Sequence, residues 1–216
     1  MLKKPDTEID WREARRHAAR STILDAAWSL VREDGLAALS LRDLARRAGI
    51  STPTVYAYFE SKNDIYDAMF GQAAAEFEEH MAAPYDAGAD RALLVAEAQR
   101  FVSFCTSDLA RYQLLFQRTV PGFNPSPASY APAIRALAGA RDRLALIGIT
   151  AAHHLDIWTA LSTGLVDQQI SNDLGGDRWV RLVGDFVDMF LLYAAAPKRT
   201  TRPHRTPPAR RDRGTR

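Results

Sequence analysis

Between Ser40 and Phe59 the chain reads SLRDLARRAGISTPTVYAYF, two short amphipathic helical patterns joined through a Gly-Ile-Ser turn and followed by a third helix start at Ser61. Leu41, Leu44, Ala45 and Ala48 recur at the spacing that gathers apolar side chains on one stripe of a helix, while Arg42, Arg46 and Arg47 face elsewhere. The start of this helix is specified twice. Ser40 can cap the free amides with Asp43 three residues on, and Leu39 can pack on Leu44 across the start. Gly49 ends it, because glycine adopts the left-handed conformation without a Cβ clash. This punctuation describes a helix-turn-helix, and sequence-specific binding of double-stranded DNA is the function it implies first.

The next helix starts two residues later, with Ser51 or Thr52 as cap and Pro53 in the first turn, where a missing N–H is harmless. Val55 and Phe59 then point inward, leaving Thr52, Thr54, Tyr56, Ala57 and Tyr58 for the exposed side. Seven helical residues span roughly 10 Å, which suits a major groove about 12 Å wide. Small and hydroxyl-bearing residues allow a close approach, and two tyrosines add phenolic donors on flat apolar bodies.

Upstream, Arg20-Ser21-Thr22-Ile23-Leu24-Asp25-Ala26-Ala27, Gly35-Leu36 and Leu39 to Ala45 lead into Ala48-Gly49-Ile50-Ser51 and Val55 through Ile65. This run resembles the DNA-binding domain of tetracycline-repressor-like (TetR) transcriptional regulators. The resemblance implies an all-α homodimer: a three-helix amino-terminal helix-turn-helix domain and a larger helical domain that binds a small molecule and dimerises. Carried over by position, Tyr56 and Lys62 would hold the phosphate backbone, with Ser40, Arg42, Thr52, Pro53, Thr54, Ala57 and Tyr58 at or near the duplex. Physics supports Lys62 separately, since it stands at the amino end of the next helix, where its ammonium and free amides can serve one phosphate. Family members often carry a longer polar residue where this chain has Ala57, so the operator sequence is not readable here.

Charge divides the chain into the same parts. Residues 1–62 carry 11 Lys and Arg against 9 Asp and Glu, residues 63–197 carry 9 against 16, and residues 198–216 carry 8 against 1. The expected domains are therefore 1–62, binding DNA behind a basic arm, 63–197, binding effector and dimerising, and a disordered basic tail at 198–216. In the arm, Lys3, Lys4, Arg12, Arg15 and Arg16 are expected to reach toward the backbone or the minor groove, with Trp11 as a packing anchor. No apolar run reaches 18 residues, no secretory signal opens the chain, and Cys105 is the single cysteine. These features imply a cytoplasmic protein with no membrane partner, and the resemblance implies a bacterial one associated with the nucleoid.

Beyond Ser61, helices are expected at about 62–81, 89–107, 109–118, 127–147, 151–171 and 178–194. Candidates for an effector pocket are Phe101, Phe104, Cys105, Tyr112, Leu115, Phe116, Phe123, Ile134, Leu137, His154 and Trp158, a lining suited to an apolar or aromatic molecule. Trp158, Leu161, Leu165, Trp179, Leu182, Phe186, Met189 and Phe190 offer the last two helices as a two-fold dimer interface. No cofactor is implied. Adjacent His153 and His154 diverge by about 100° on a helix and do not make a metal site. A helical enzyme lacks support, with no phosphate loop, zinc-spaced set or nucleophile elbow. A protein coating DNA without sequence preference is the remaining alternative, separable by its low ratio of specific to competitor binding.

Overall fold

The helix punctuation read from the sequence recurs in the structure, a computed structural model that describes residues 7–85, 88 and 90–196. Lys3, Lys4 and the basic tail at 198–216 lie outside the described residues. Among the described residues there are nine α-helices, two short 3-10 turns and no strand. The head comprises α1 (Thr7–Asp34), α2 (Leu41–Arg47) and α3 (Thr52–Tyr56). The remaining helices are α4 (Lys62–Ala82), α5 (Arg91–Ser107), α6 (Leu109–Phe116), α7 (Pro127–Leu146), α8 (Ala152–Asn172) and α9 (Val183–Ala195).

Helix ends follow the chemistry of their caps. Ser61 accepts from the Asp64 amide at 3.2 Å while Asp64 accepts from the Ser61 amide at 2.9 Å, a reciprocal box that starts α4. Gly49, at φ 68°, lets the chain fold back after α2: Ile50 N–H reaches the Ala45 carbonyl at 3.0 Å and Gly49 N–H the Arg46 carbonyl at 3.3 Å. The last helix begins later than its periodicity suggests. Buried Gln169 accepts from the amides of Trp179 and Val180 at 2.9 and 3.2 Å, and Asp173 accepts from that of Arg178, so side chains replace helical carbonyls there. Residues Val180–Leu182 form a 3-10 turn and α9 starts at Val183.

Two apolar cores result. One joins Ile23, Ala27, Trp28 and Val31 of α1 to Leu44, Val55 and Phe59 of the helix-turn-helix, and to Ile65, Tyr66, Met69 and Phe70 of α4. The other gathers Phe77 and Met81 of α4 with Leu94, Val102, Leu144, Trp158, Phe186 and Phe190. Each large side chain fully withdrawn from water contributes about 1.5–3 kcal/mol. Polar ties supplement the packing: Trp28 Nε1 donates to Gln72 at 3.0 Å, the Tyr66 hydroxyl donates to the Leu36 carbonyl, and Arg32 donates to Asp108 at 2.9 Å.

Helix α7 lies along α4 at close range. A Cβ on Gly71 would stand 3.1 Å from Ser129 Oγ, a tight contact that would require Ser129 to give by a few tenths of an ångström. The start of α7 is held by Asp67 of α4, which accepts from Ser126 N, Ser126 Oγ and Ser129 Oγ at 2.6, 2.9 and 2.8 Å.

The amino-terminal segment differs from expectation. From Thr7 onward it is the first part of α1 rather than a loose arm, and Trp11 is 44% exposed instead of serving as a packing anchor. The guanidinium groups of Arg12 and Arg15 lie 5.6 and 5.5 Å from its ring centroid. Starting the helix so early places Trp11 beyond the reach of the head's core, whose first α1 member is Ile23.

Candidate nucleic-acid interface and effector cavity

Ser40 caps α2 by accepting from the Asp43 amide at 3.1 Å, and Leu44 and Ala45 bury its inner face. Its basic residues then diverge in role. Arg47 grips Glu33 of α1 through two contacts of 2.7 and 2.6 Å and touches Ser29, so it fixes α2 against α1. These bonds from Arg47, and then from Ser29, hold the Glu33 carboxyl down to about 2. Arg46 pairs with Asp43 at 2.7 Å, while Arg42 is exposed.

For α3 the structure selects Ser51 as cap: its hydroxyl accepts from the Thr54 amide at 3.3 Å and lies 2.7 Å from the Thr54 hydroxyl. Val55 and Phe59 are buried, at 0% and 2% exposure. Pro53 and Ala57 are exposed, Tyr56 is 51% exposed, and Thr52 and Thr54 are half-buried. Tyr58 departs from the expected outer face. Tyr58 stands three residues after buried Val55, on the edge of the stripe that Val55 and Phe59 bury, and packs partly against the head's core. Arg20, which sequence reasoning did not single out, donates to the Tyr58 carbonyl at 2.6 Å with its guanidinium 4.2 Å from the Phe59 ring centroid. It clamps the end of α3 to α1.

Lys62, the first residue of α4, is half-buried. Its ammonium donates to the Ala37 carbonyl at 3.4 Å and sits 5.4 Å from the Tyr66 ring centroid. With three donors on an ammonium, that contact leaves capacity for an anion at the helix start.

In the body, a cavity of about 280 Å³ lies among α4, α5, α6, α7 and α8. Five expected residues line it: Phe101, Leu115, Phe116, Leu137 and Trp158. A neighbouring hollow of about 620 Å³ shares Leu115, Phe116 and Tyr130 with it and adds Phe123 and Ile134. Phe123 packs on Tyr66 and Phe70, with ring centroids 5.7 and 6.4 Å away, so this hollow reaches the helix that also walls the head. Phe104 borders a separate polar hollow with Glu76, Glu79 and His80.

Three expected lining residues lie elsewhere. Cys105 and Tyr112 are fully buried, and the Tyr112 hydroxyl donates to Asp167 at 2.7 Å. Burial pushes both the Cys105 thiol and the Tyr112 phenol up. His154 packs near His153, Tyr193 and Phe190 instead. Among the described residues, no group of three or more His, Cys, Asp or Glu side chains is placed to hold a metal.

Glu97, Arg143 and Ser162 escaped the sequence reading and border the cavity. Glu97 is 1% exposed, and Arg143 Nη2 donates to its Oε1 at 3.0 Å. Arg143 Nε is also 3.0 Å from Oε2, but without hydrogen-bond alignment. Burial pushes the Glu97 carboxyl up, against the pull of Arg143. The signal lay in Glu97 itself, a carboxylate on the apolar stripe of Leu94, Ala98 and Phe101.

The expected dimer surface separates into inner and outer residues. Trp158, Phe186 and Phe190 are buried within the protomer, with the Trp158 ring centroid 4.9 and 5.1 Å from those of the two phenylalanines. Leu165, Trp179 and Leu182 are half-buried. Leu161 and Met189 are exposed, together with Leu192 and Tyr193 on the same face of α9 as Met189. A helix with apolar residues on two sides can serve its own core and still offer a second surface, which one sequence cannot apportion.

Among the described residues, no helix is long and apolar enough to cross a membrane. Residues 23–69 match the family described as bacterial regulatory proteins, tetR family. A fatty acid metabolism regulator protein of Bacillus subtilis is 34% identical over 59 residues, 27% of this chain and 30% of that protein. A class D tetracycline repressor protein of Escherichia coli is 33% identical over 61 residues, 28% of each. The chain thus aligns with less than a third of the length of either relative. A crystal structure of a tetR-family transcriptional regulator from Streptomyces coelicolor superposes with a TM-score of 0.64 at 20% identity, covering 83% of this chain and 82% of that one. Residues 23–69 thus carry the match to the tetR family of bacterial regulatory proteins, within an all-helical fold shared with that solved structure.

Proposed function

We propose that this chain is a homodimeric, cytoplasmic regulator of transcription that grips a palindromic operator with α3 of each protomer. A small apolar or aromatic molecule in the cavity among α4 to α8 would release it. The observation that carries this reading is α3 itself: a short capped helix, fixed from behind by Val55, Phe59 and Arg20, with Pro53, Tyr56 and Ala57 turned to solvent. Arg42 and Lys62 flank it with positive charge. Ser40 is occupied as a cap, so it positions α2 more than it contacts DNA. The relatives' names, a tetracycline repressor and a regulator of fatty acid metabolism, support repression governed by small molecules.

Leu161, Met189, Leu192 and Tyr193 are the apolar face on which two copies would pair. A two-fold axis there would repeat α3 at a spacing of about 34 Å or a further turn, matching a palindrome. Filling the cavity would shift the population away from that spacing, and a coupling of about 1–3 kcal/mol changes operator affinity some 5- to 150-fold.

The test is footprinting on the DNA upstream of the chain's own gene, with competitor duplex, alongside sedimentation of the protein. A protected palindrome and a dimer that Met189→Glu with Leu192→Glu splits are the expected results. Equal affinity for random duplex, or a monomer that still protects one full palindrome, overturns the reading.

A further inference from the structure

We propose that the cavity among α4 to α8 selects an uncharged ring compound bearing one hydroxyl group, because an unpartnered buried hydroxyl and a self-neutralised ion pair share its apolar walls. The proposal rests on reading that cavity as the effector site and names the class of molecule it takes.

The walls set the body of the ligand. Phe101, Phe116, Leu137 and Trp158 present aromatic and aliphatic surface, and a volume of about 280 Å³ falls at the small end for ligand pockets. One or two rings suit that space better than a long chain.

The polar groups set its charge. Glu97 and Arg143 face each other at 3.0 Å, so their charges cancel at the cavity wall. An entering carboxylate would meet Glu97 as well as Arg143, and an entering ammonium would meet Arg143 as well as Glu97. Either ion would leave water without a net opposite charge to receive it. Hydrogen bonding, however, is incomplete. Ser162 is 5% exposed and its Oγ has no partner, and Glu97 Oε2 accepts no aligned hydrogen bond. A hydroxyl both donates and accepts, so it can satisfy either group. A hydrocarbon of the same shape leaves both unmet, and sites built around such unmet groups discriminate strongly against the analogue that lacks the hydroxyl.

The experiment is calorimetric titration of the full-length protein with 2-naphthol, 2-naphthoate, 2-methylnaphthalene and 2-naphthylmethylamine, repeated with the single-ring set built on 4-propylphenol. In at least one set the alcohol is expected to bind about tenfold or more tighter than its acid, hydrocarbon and amine counterparts. Ser162→Ala is expected to narrow the gap between alcohol and hydrocarbon. Glu97→Gln, which leaves Arg143 without its counter-charge, is expected to shift preference toward the acid. A wild-type preference for acid or amine, parity of alcohol and hydrocarbon, or binding of no probe overturns the proposal, and the wild-type comparison decides this even if a variant proves unstable. Operator titrations on the same samples separate the two readings. Intact specific DNA binding with failed probe selectivity sinks the ligand class alone, whereas absent specific DNA binding sinks the regulator reading.

Discussion

Replacing Asp67 by alanine tests whether α7 is held to α4 by the carboxylate that joins them. Asp67 accepts three hydrogen bonds from the start of α7, two from Ser126 and one from Ser129. Hydrogen bonds to a charged group contribute about 1.5–3 kcal/mol each, but Asp67 is half-buried and water would replace part of what is lost, so roughly 2–3 kcal/mol in total is expected. That sum includes about 0.3–1 kcal/mol from a negative charge at a helix amino terminus. For a chain of this size each kcal/mol moves the melting temperature by about 2–4 °C, so Asp67→Ala should melt roughly 5–10 °C lower. Differential scanning calorimetry at matched protein concentration measures this, with Asp67→Asn expected between the two. Ser126→Ala with Ser129→Ala closes a double-mutant cycle, in which the hydroxyl losses should largely disappear once Asp67 is gone. A melting temperature within about 2 °C of wild type would show that the three bonds do not hold α7, and the reasoning from geometry to rigidity would fail.

Three further substitutions probe the head. Lys62→Ala should weaken operator binding across sequences and reduce the slope of log affinity against log salt by about one, and an unchanged slope in a salt titration rules out a phosphate contact. Gly49→Ala adds a Cβ that meets no atom within 4 Å, so the left-handed backbone at φ 68° is the sole source of strain. About 1 kcal/mol of destabilisation in urea is expected, and a neutral result contradicts it. Glu33 is held down to about 2 in the folded head, against about 4.3 in an unfolded chain, so its contribution is present above the unfolded value and lost as pH falls toward 2. The stability difference between wild type and Glu33→Gln should therefore shrink on acidification through that window, and a constant difference would refute the role given to Arg47.

Local chemistry was legible in the sequence. Ser40, Gly49 and Ser61 mark helix ends through bonds that span three to five residues, so a reader needs only the neighbouring letters. Ser51 and Thr52 carry equivalent hydroxyls one position apart, and only the path of the turn decides that Ser51 caps. Tyr58 misled because it lies on the edge of the stripe, three residues after buried Val55, where spacing alone does not separate core from surface. The cavity was half visible: Phe101, Phe116 and Trp158 announced themselves as aromatic residues, but Glu97 and Arg143 are 46 positions apart and no local pattern joins them. Trp158, Phe186 and Phe190 show the same limit in apolar form, since period reveals that a face is greasy and says nothing of which chain covers it.

Helix α4 belongs to both cores, and this restricts how such a protein can be dissected. The head's core continues past Lys62 through Ile65, Tyr66, Met69, Phe70, Ala73 and Ala74, and also takes Ala110 and Leu114 from α6. A chimaera that exchanged heads at the start of α4 would sever this wall and expose Val55 and Phe59 to water. A viable graft must run through Ala74 and arrive with residues that fit Ala110 and Leu114, so recognition of DNA cannot be transplanted as a free-standing cassette.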